Sequence, residues 1–86
     1  MFEIKKGMIV KSLAGHDKDK LYVIIDVQAE YVYLTDGRLR AVDNPKKKRI
    51  KHVQPTLYVD NYVKETESDQ IKDSDIRKVI KQYSAE

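Results

Sequence analysis

The most regular hydrophobic pattern in the chain is an alternation over residues 21–27. The odd-numbered positions of this segment are all aliphatic, and the even-numbered positions carry Tyr, Ile and Asp. Successive side chains of a β-strand point to opposite faces of a sheet, so a period of two residues predicts a strand. The pattern places Val27 on the same face as Val23 and Ile25.

Shorter patterns of the same kind predict more strands on both sides of this one. Residues 7–13 and 31–36 are rich in β-branched and aromatic residues. A hairpin is predicted at Asp36 and Gly37, because glycine adopts the positive φ that tight hairpin turns require. The next strand is then predicted at residues 38–42, and residues 46–53 after Pro45 predict a last short strand.

Four or five short strands within about 50 residues predict a small, strongly bent barrel. They are too few for a two-sheet sandwich, and an OB-type barrel requires more residues and a helix between strands. We therefore expect a mainly β fold, with a small SH3-like barrel in residues 1–55.

The pattern changes after Pro55, and residues 56–86 are predicted to form an acidic linker and a short C-terminal α-helix. From about Asp73 onwards the apolar residues follow helical spacing, with Ile76, Val79, Ile80 and Tyr83 on one stripe. The acidic residues at the start of this segment suit a helix N-terminus. The apolar stripe is expected to pack on the barrel, and the alternative is that it binds a protein partner.

Positive charge is concentrated in one part of the chain. The net charge is only +3, but residues 38–52 contain seven Lys and Arg residues and a single acid, Asp43. Such a concentration predicts a polyanionic partner, and the alternative is a solvated loop that is basic for solubility.

Two segments supply the candidate RNA-contacting residues. The first is the loop between the first two strands, where lysines could replace counterions on phosphates; an ordinary polar turn is an equal alternative. The second is a basic stripe formed by one strand and the loop that follows it. Tyr31 and Tyr33 could stack on bases next to this stripe, although such tyrosines more often form barrel wall. The candidate residues are Lys11, Gly15, His16, Lys18, Lys20, Arg38, Arg40, Lys46, Lys47, Lys48, Arg49, Lys51 and His52.

Several classes of site and location are not expected. The chain has no cysteine, which excludes disulfides and cysteine-ligated zinc, and its two histidines cannot complete a metal site alone. The acidic residues and histidines show no spacing typical of a catalytic motif, so we predict no enzymatic activity and no cofactor. No apolar run approaches the roughly 20 residues that span a bilayer, and no signal-peptide pattern is present, so a cytoplasmic protein without membrane contact is expected.

Three blocks of the sequence together resemble a known family. The segment GMIVKSLAGHDKDKLYVIIDV resembles the KOW motif of RNA-binding SH3-like domains. With VYLTDGRLRAV and PKKKRIKHVQPT in the same order, residues 3–56 are similar to the large-subunit ribosomal protein family numbered fourteen of archaea and eukaryotes and its small bacterial relatives.

The resemblance implies a KOW-type SH3-like barrel that binds RNA, most naturally ribosomal RNA of the large subunit, without catalysis or cofactor. It assigns the KOW turn to Gly15, Lys18 and Lys20, and the lysine-histidine signature to Lys51 and His52. One departure is Asp19, at a position between the two lysines where the family often has glycine. The added negative charge could weaken phosphate contact in this loop.

Three functions remain open at this stage. The first is an RNA-binding module of the ribosome or of another structured RNA. The second is a protein-interaction adaptor, since SH3-like barrels also bind peptides. The third is an accessory factor that processes RNA or regulates translation and visits ribosomes only transiently. A transcription or translation regulatory factor that uses the SH3-like barrel belongs, with the adaptor, to the alternatives to RNA binding.

Overall fold

The structure of the protein, a computed structural model, describes residues 3–13, 15–16 and 18–85. Five antiparallel strands form one sheet in the order β4-β3-β2-β1-β5, with β4 and β5 as the edges of the described sheet. The strands are Met8–Ser12 (β1), Leu21–Gln28 (β2), Tyr31–Thr35 (β3), Lys46–Arg49 (β4) and Val53–Val59 (β5). Two helices follow, Asn61–Glu65 (α1) and Asp73–Ser84 (α2), and single 3-10 turns occupy Ile50–His52 and Ser68–Gln70. The prediction of a mainly β fold with a C-terminal helix is confirmed.

Both faces of the sheet are covered by hydrophobic side chains. The first core, on one face, consists of Met8, Val10, Tyr22, Ile24, Val32, Leu34 and Val53. The second core, on the other face, consists of Ile9, Val23, Ile25, Val63, Ile71, Ile76 and Val79, and so combines strand residues with residues after β5. Strand β2 contributes to both cores, which explains why the residues on both of its faces are almost all apolar.

A β-bulge in β2 changes the predicted face of one residue. Ile24 pairs with Leu34 and Asp26 pairs with Tyr33, so β2 has one extra residue between these pairs. An extra residue reverses the alternation beyond it. Val27 therefore packs against the first core rather than beside Val23 in the second, and the prediction for Val27 is wrong.

Helix α2 forms where the sequence predicts it and packs on the sheet. Ile76 and Val79 are buried in the second core, and Ile80 and Tyr83 pack against it. At the N-terminus of the helix, Asp75 Oδ2 accepts a hydrogen bond from the backbone nitrogen of Lys72 at 3.0 Å. The expected packing of the apolar stripe on the sheet is confirmed.

The strand predicted at residues 38–42 does not form. The carboxylate of Asp36 folds back, and its Oδ1 accepts hydrogen bonds from the backbone nitrogens of Arg38 (2.9 Å) and Arg40 (3.0 Å). The carbonyl of Arg40 accepts from the backbone nitrogens of Asp36 and Gly37. These bonds close a compact loop, because they use backbone groups that a strand would offer to a neighbour.

The start of the predicted linker is part of the sheet. Strand β5 runs to Val59 and pairs with β1, with Pro55 opposite Val10. Proline is tolerated there because β5 is an edge strand. Helix α1 follows directly, with Asp60 Oδ2 accepting from the backbone nitrogen of Val63 at 3.0 Å. The prediction of a linker at residues 56–59 is wrong, and a strand crosses the predicted boundary between residues 55 and 56.

Candidate nucleic-acid interface

The loop between β1 and β2 is folded back by its own backbone. The backbone nitrogen of Asp19 donates to the carbonyl of Ser12 (2.8 Å), and the backbone nitrogen of Ser12 donates to the carbonyl of Lys20 (3.0 Å). Four of the predicted contact residues project from this loop or its base and are exposed: Lys11, His16, Lys18 and Lys20. Ala14 and Asp17, which complete the loop, lie outside the described residues.

Two residues of this loop adopt a left-handed backbone. Gly15 has a φ of 84° and Asp19 a φ of 71°. The first value agrees with the role that the sequence gives to Gly15 in the turn. The second shows that Asp19 stands in the conformation that glycine adopts most easily, and Asp is one of the few other residues that tolerate it. Asp19 therefore combines a backbone conformation typical of glycine with a negative charge in the loop.

A backbone hydrogen bond joins this loop to the second predicted segment. The nitrogen of Leu13 donates to the carbonyl of His52 at 3.0 Å, which places the turn Ile50–His52 beside the base of the loop. The side chains of Lys51 and His52 are exposed on that turn. We call the described residues of this combined region, residues 13, 15–16, 18–20 and 50–52, the loop–turn surface. The structure thus joins the base of the loop that carries Lys18 and Lys20 to the turn that carries Lys51 and His52.

The basic run after Pro45 is divided between two faces because it forms strand β4. Lys46 and Lys48 pair with Leu34 and Val32, and both are half-buried. Lys48 Nζ donates to Ser12 Oγ at 2.6 Å. Lys47 and Arg49 alternate with them, so they point to the opposite face and are exposed. The prediction of one continuous basic stripe is wrong.

The exposed cations of β4 cover the ring of Tyr31. Lys47 Nζ lies 4.3 Å and Arg49 Cζ 5.4 Å from the ring centroid, which is cation–π geometry. Arg49 Nη1 also lies 2.6 Å from Glu30 Oε1. Tyr33 packs against the second core of the sheet.

Arg38 and Arg40 lie in the compact loop between β3 and β4. Arg38 lines a cleft between this loop and α2, together with Arg77, Lys78 and Lys81 of the helix. These three helical cations are not among the binding residues that the sequence predicts. Their i, i+1, i+4 spacing was visible in the sequence, but their position beside Arg38 depends on how α2 packs.

A second cleft of about 740 Å³ lies between β5 and the end of α2 and is lined by Leu21, Leu57, Tyr58 and Tyr83. Within residues 3–13, 15–16 and 18–85, no three His, Asp or Glu side chains lie close enough together to hold a metal ion. Over the same ranges, the longest apolar helical stretch falls short of what is needed to cross a membrane.

No model of a known protein family matches this sequence, and no curated protein matches it. The loop–turn surface presents three lysines and two histidines, together with Asp19, on a short, hydrogen-bonded scaffold. The lysines and histidines can donate hydrogen bonds to phosphate oxygens.

Proposed function

We propose that this protein is a non-catalytic RNA-binding protein that contacts the phosphate backbone of a structured RNA through the loop–turn surface. The observation that carries the proposal is the hydrogen bond between the backbone groups of Leu13 and His52, which joins the two segments that contain the predicted contact residues. Lys18, Lys20 and Lys51 are exposed on the joined segments, and they supply the positive charge.

Exposed lysines on a fixed backbone suit phosphate recognition better than base recognition. Each ammonium group that neutralises a phosphate releases condensed counterions, which gives affinity without sequence information. Structured RNA is commonly recognised through its shape and backbone. We expect Lys47 and Arg49 to extend this contact from the adjacent strand, while Lys48 mainly holds β4 against Ser12.

We propose further that the sheet belongs to the SH3-like barrels of KOW type. The support is the strand order, in which a four-stranded meander is followed by a fifth strand that pairs back with the first. The resemblance of residues 3–56 favours ribosomal RNA of the large subunit as the ligand and the cytoplasm as the location. A stoichiometric component would sediment with the large subunit at high salt, whereas a transient factor would dissociate.

The test is binding of a structured RNA, such as a ribosomal RNA fragment, by K18A/K51A across a salt series. Both lysines are exposed, so the double variant should fold normally and bind RNA more weakly. The salt slope, which is the steepness of the fall of log affinity with log salt concentration, should be lower by about 1 for each lysine. The matched control is K64A/K72A, which removes two exposed lysines from α1 and from the residue before α2. Equal weakening by both double variants would refute the loop–turn surface, and a flat slope for the wild type would refute RNA binding itself.

One observation favours the adaptor function as a second candidate. Leu57 on edge strand β5 is 81% exposed beside the cleft formed with Tyr58 and Tyr83. An exposed edge strand with an apolar side chain can accept a peptide strand from a protein partner. A photo-crosslinker at position 57 should then capture one protein partner, and the same partner should be captured with and without nuclease treatment. Capture that disappears with nuclease would leave RNA binding as the explanation.

A further inference from the structure

The cleft between α2 and the loop that joins β3 to β4 has a volume of about 520 Å³ and is strongly basic. We call it the α2 cleft. Its polar lining consists of Asp36, Arg38, Ser74, Arg77, Lys78 and Lys81. Four cations thus face one carboxylate. Arg77, Lys78 and Lys81 come from residues 56–86, which carry more acidic than basic residues.

The walls of the α2 cleft are fixed by contacts between the loop and the helix. Arg77 Nη1 donates a hydrogen bond to the carbonyl of Gly37 at 2.7 Å. Gly37 itself is buried so closely against α2 that a Cβ on it would lie 2.5 Å from the carbonyl oxygen of Asp73. The cations therefore project from two elements that are held together, which reduces the ordering cost of binding a ligand.

Within the part of the chain that the structure describes, none of the four cleft cations forms an ion pair with a carboxylate; the ion pairs Lys5–Glu3 and Arg49–Glu30 lie elsewhere. Oδ1 of Asp36 already accepts two backbone hydrogen bonds in its own loop. Arg77 and Lys81 are spaced i, i+4 on the helix, where like charges repel each other. An anion in the cleft would relieve this repulsion.

We propose that the α2 cleft binds a phosphate group. A carboxylate ligand would balance one of the cations, whereas inorganic phosphate or a phosphomonoester carries up to two charges and offers three or more acceptor oxygens to the cleft cations and the Ser74 hydroxyl. In an RNA strand each phosphodiester carries one charge, so consecutive phosphates would have to share the cleft. The proposal does not depend on RNA binding. Only the identification of the phosphate as part of an RNA strand rests on the proposed function.

The first experiment is a titration of ¹⁵N-labelled protein with inorganic phosphate at constant ionic strength, followed by amide chemical shifts. Saturable shifts are expected at residues 36–40 and 74–81. K78A/K81A should weaken the fitted affinity at least fivefold, since both lysines are exposed and lie off the buried stripe of α2. The control K64A/K72A, with the same change in charge, should leave the affinity within twofold. Shifts that do not saturate in the cleft, or equal weakening by both variants, would overturn the proposal.

A second titration, with a structured RNA, distinguishes the two sources of phosphate. If the ligand is an RNA strand, cleft amides shift together with those of the loop–turn surface, and K78A/K81A lowers the salt slope by about 2. If RNA shifts only the loop–turn amides while inorganic phosphate still saturates the cleft, the ligand is a small phosphorylated compound. If RNA shifts neither region, the proposed function fails, and the phosphate titration still decides the cleft.

Discussion

Asp19 lies between two exposed lysines, in a left-handed backbone conformation with a φ of 71°. Its carboxylate adds a negative charge at the position where the proposed RNA surface requires positive charge. Two effects are therefore combined in one side chain: a backbone conformation that glycine adopts without cost, and an electrostatic penalty for phosphate. Asparagine tolerates the same backbone conformation but has no charge, so the two effects can be separated experimentally.

We expect Asp19→Asn and Asp19→Gly to bind RNA more tightly than the wild type, and by similar factors. The repulsion between the Asp19 carboxylate and a phosphate about 4 Å away in water would be about 1 kcal/mol, so its removal raises the affinity at most about fivefold. Filter binding at constant salt measures the change. Asp69→Asn, which removes an exposed acid from the 3-10 turn Ser68–Gln70, is the control and should bind RNA like the wild type. If all three variants gain equally, the effect is one of net charge and not of position.

Gly37 has both a positive φ of 73° and a close approach to helix α2. An alanine there would adopt a strained backbone and place its Cβ against the carbonyl oxygen of Asp73, which cannot shift without moving the helix. Asp73 is also held by its side chain, because its Oδ1 accepts a hydrogen bond from the backbone nitrogen of Val42 at 2.7 Å. We expect Gly37→Ala to lower the free energy of unfolding by about 2 kcal/mol, as measured by urea denaturation. Arg38→Ala, at the exposed neighbouring position, should change it by less than about 0.5 kcal/mol.

At the scale of elements, strands β1 to β3 and helix α2 follow from local patterns in the sequence. Their periodicities reflect which side chains face a core, and the structure confirms them within a residue or two. Residues 38–42 have a strand pattern too, but the backbone nitrogens of Arg38 and Arg40 donate to the Asp36 carboxylate and that of Val42 donates to Asp73. Strand β5 was missed because its Pro55 and exposed Leu57 are tolerated only at an edge. That edge position depends on pairing with β1, which lies more than 40 residues away in the sequence.

The contribution of α2 to stability can be measured at Ile76, which is fully buried in the second core. Ile76→Ala removes packing against β-strand side chains and leaves a cavity, so we expect a loss of about 2–5 kcal/mol in the free energy of unfolding. Gln82→Ala, at an exposed position of the same helix, should be within about 0.5 kcal/mol of the wild type. A small effect of Ile76→Ala in chemical denaturation would contradict the docking of α2 on the sheet.

For the whole molecule, the sequence predicted which residues could contact RNA but not their distribution in space. The association of the β1–β2 loop with Lys51 and His52 requires β5 to return to β1. The division of residues 46–49 between two faces requires them to form a strand, and the α2 cleft requires a helix from the acidic half of the chain to pack beside Arg38. Each of these is a long-range consequence of the fold, and none can be deduced from local composition.

The same long-range packing leads to a prediction about the division of the chain at residue 55. A fragment of residues 1–55 would lose most of β5, and a fragment of residues 1–60 would keep β5 but lose every helical side chain of the second core. In both fragments Ile9, Val23 and Ile25 would be exposed on the sheet face that α2 covers. Chains of about 60 residues are marginally stable even with a complete core.

We therefore expect neither fragment to fold, so residues 1–55 would not be an independent barrel. The measurement is the dispersion of amide signals in a ¹⁵N–¹H spectrum, with the full chain as the reference. Comparison of the two fragments separates the loss of a strand from the loss of the helical cover. A well-dispersed spectrum for residues 1–60 would show that the first core alone supports the sheet, and α2 would then be an addition to the fold rather than half of its core.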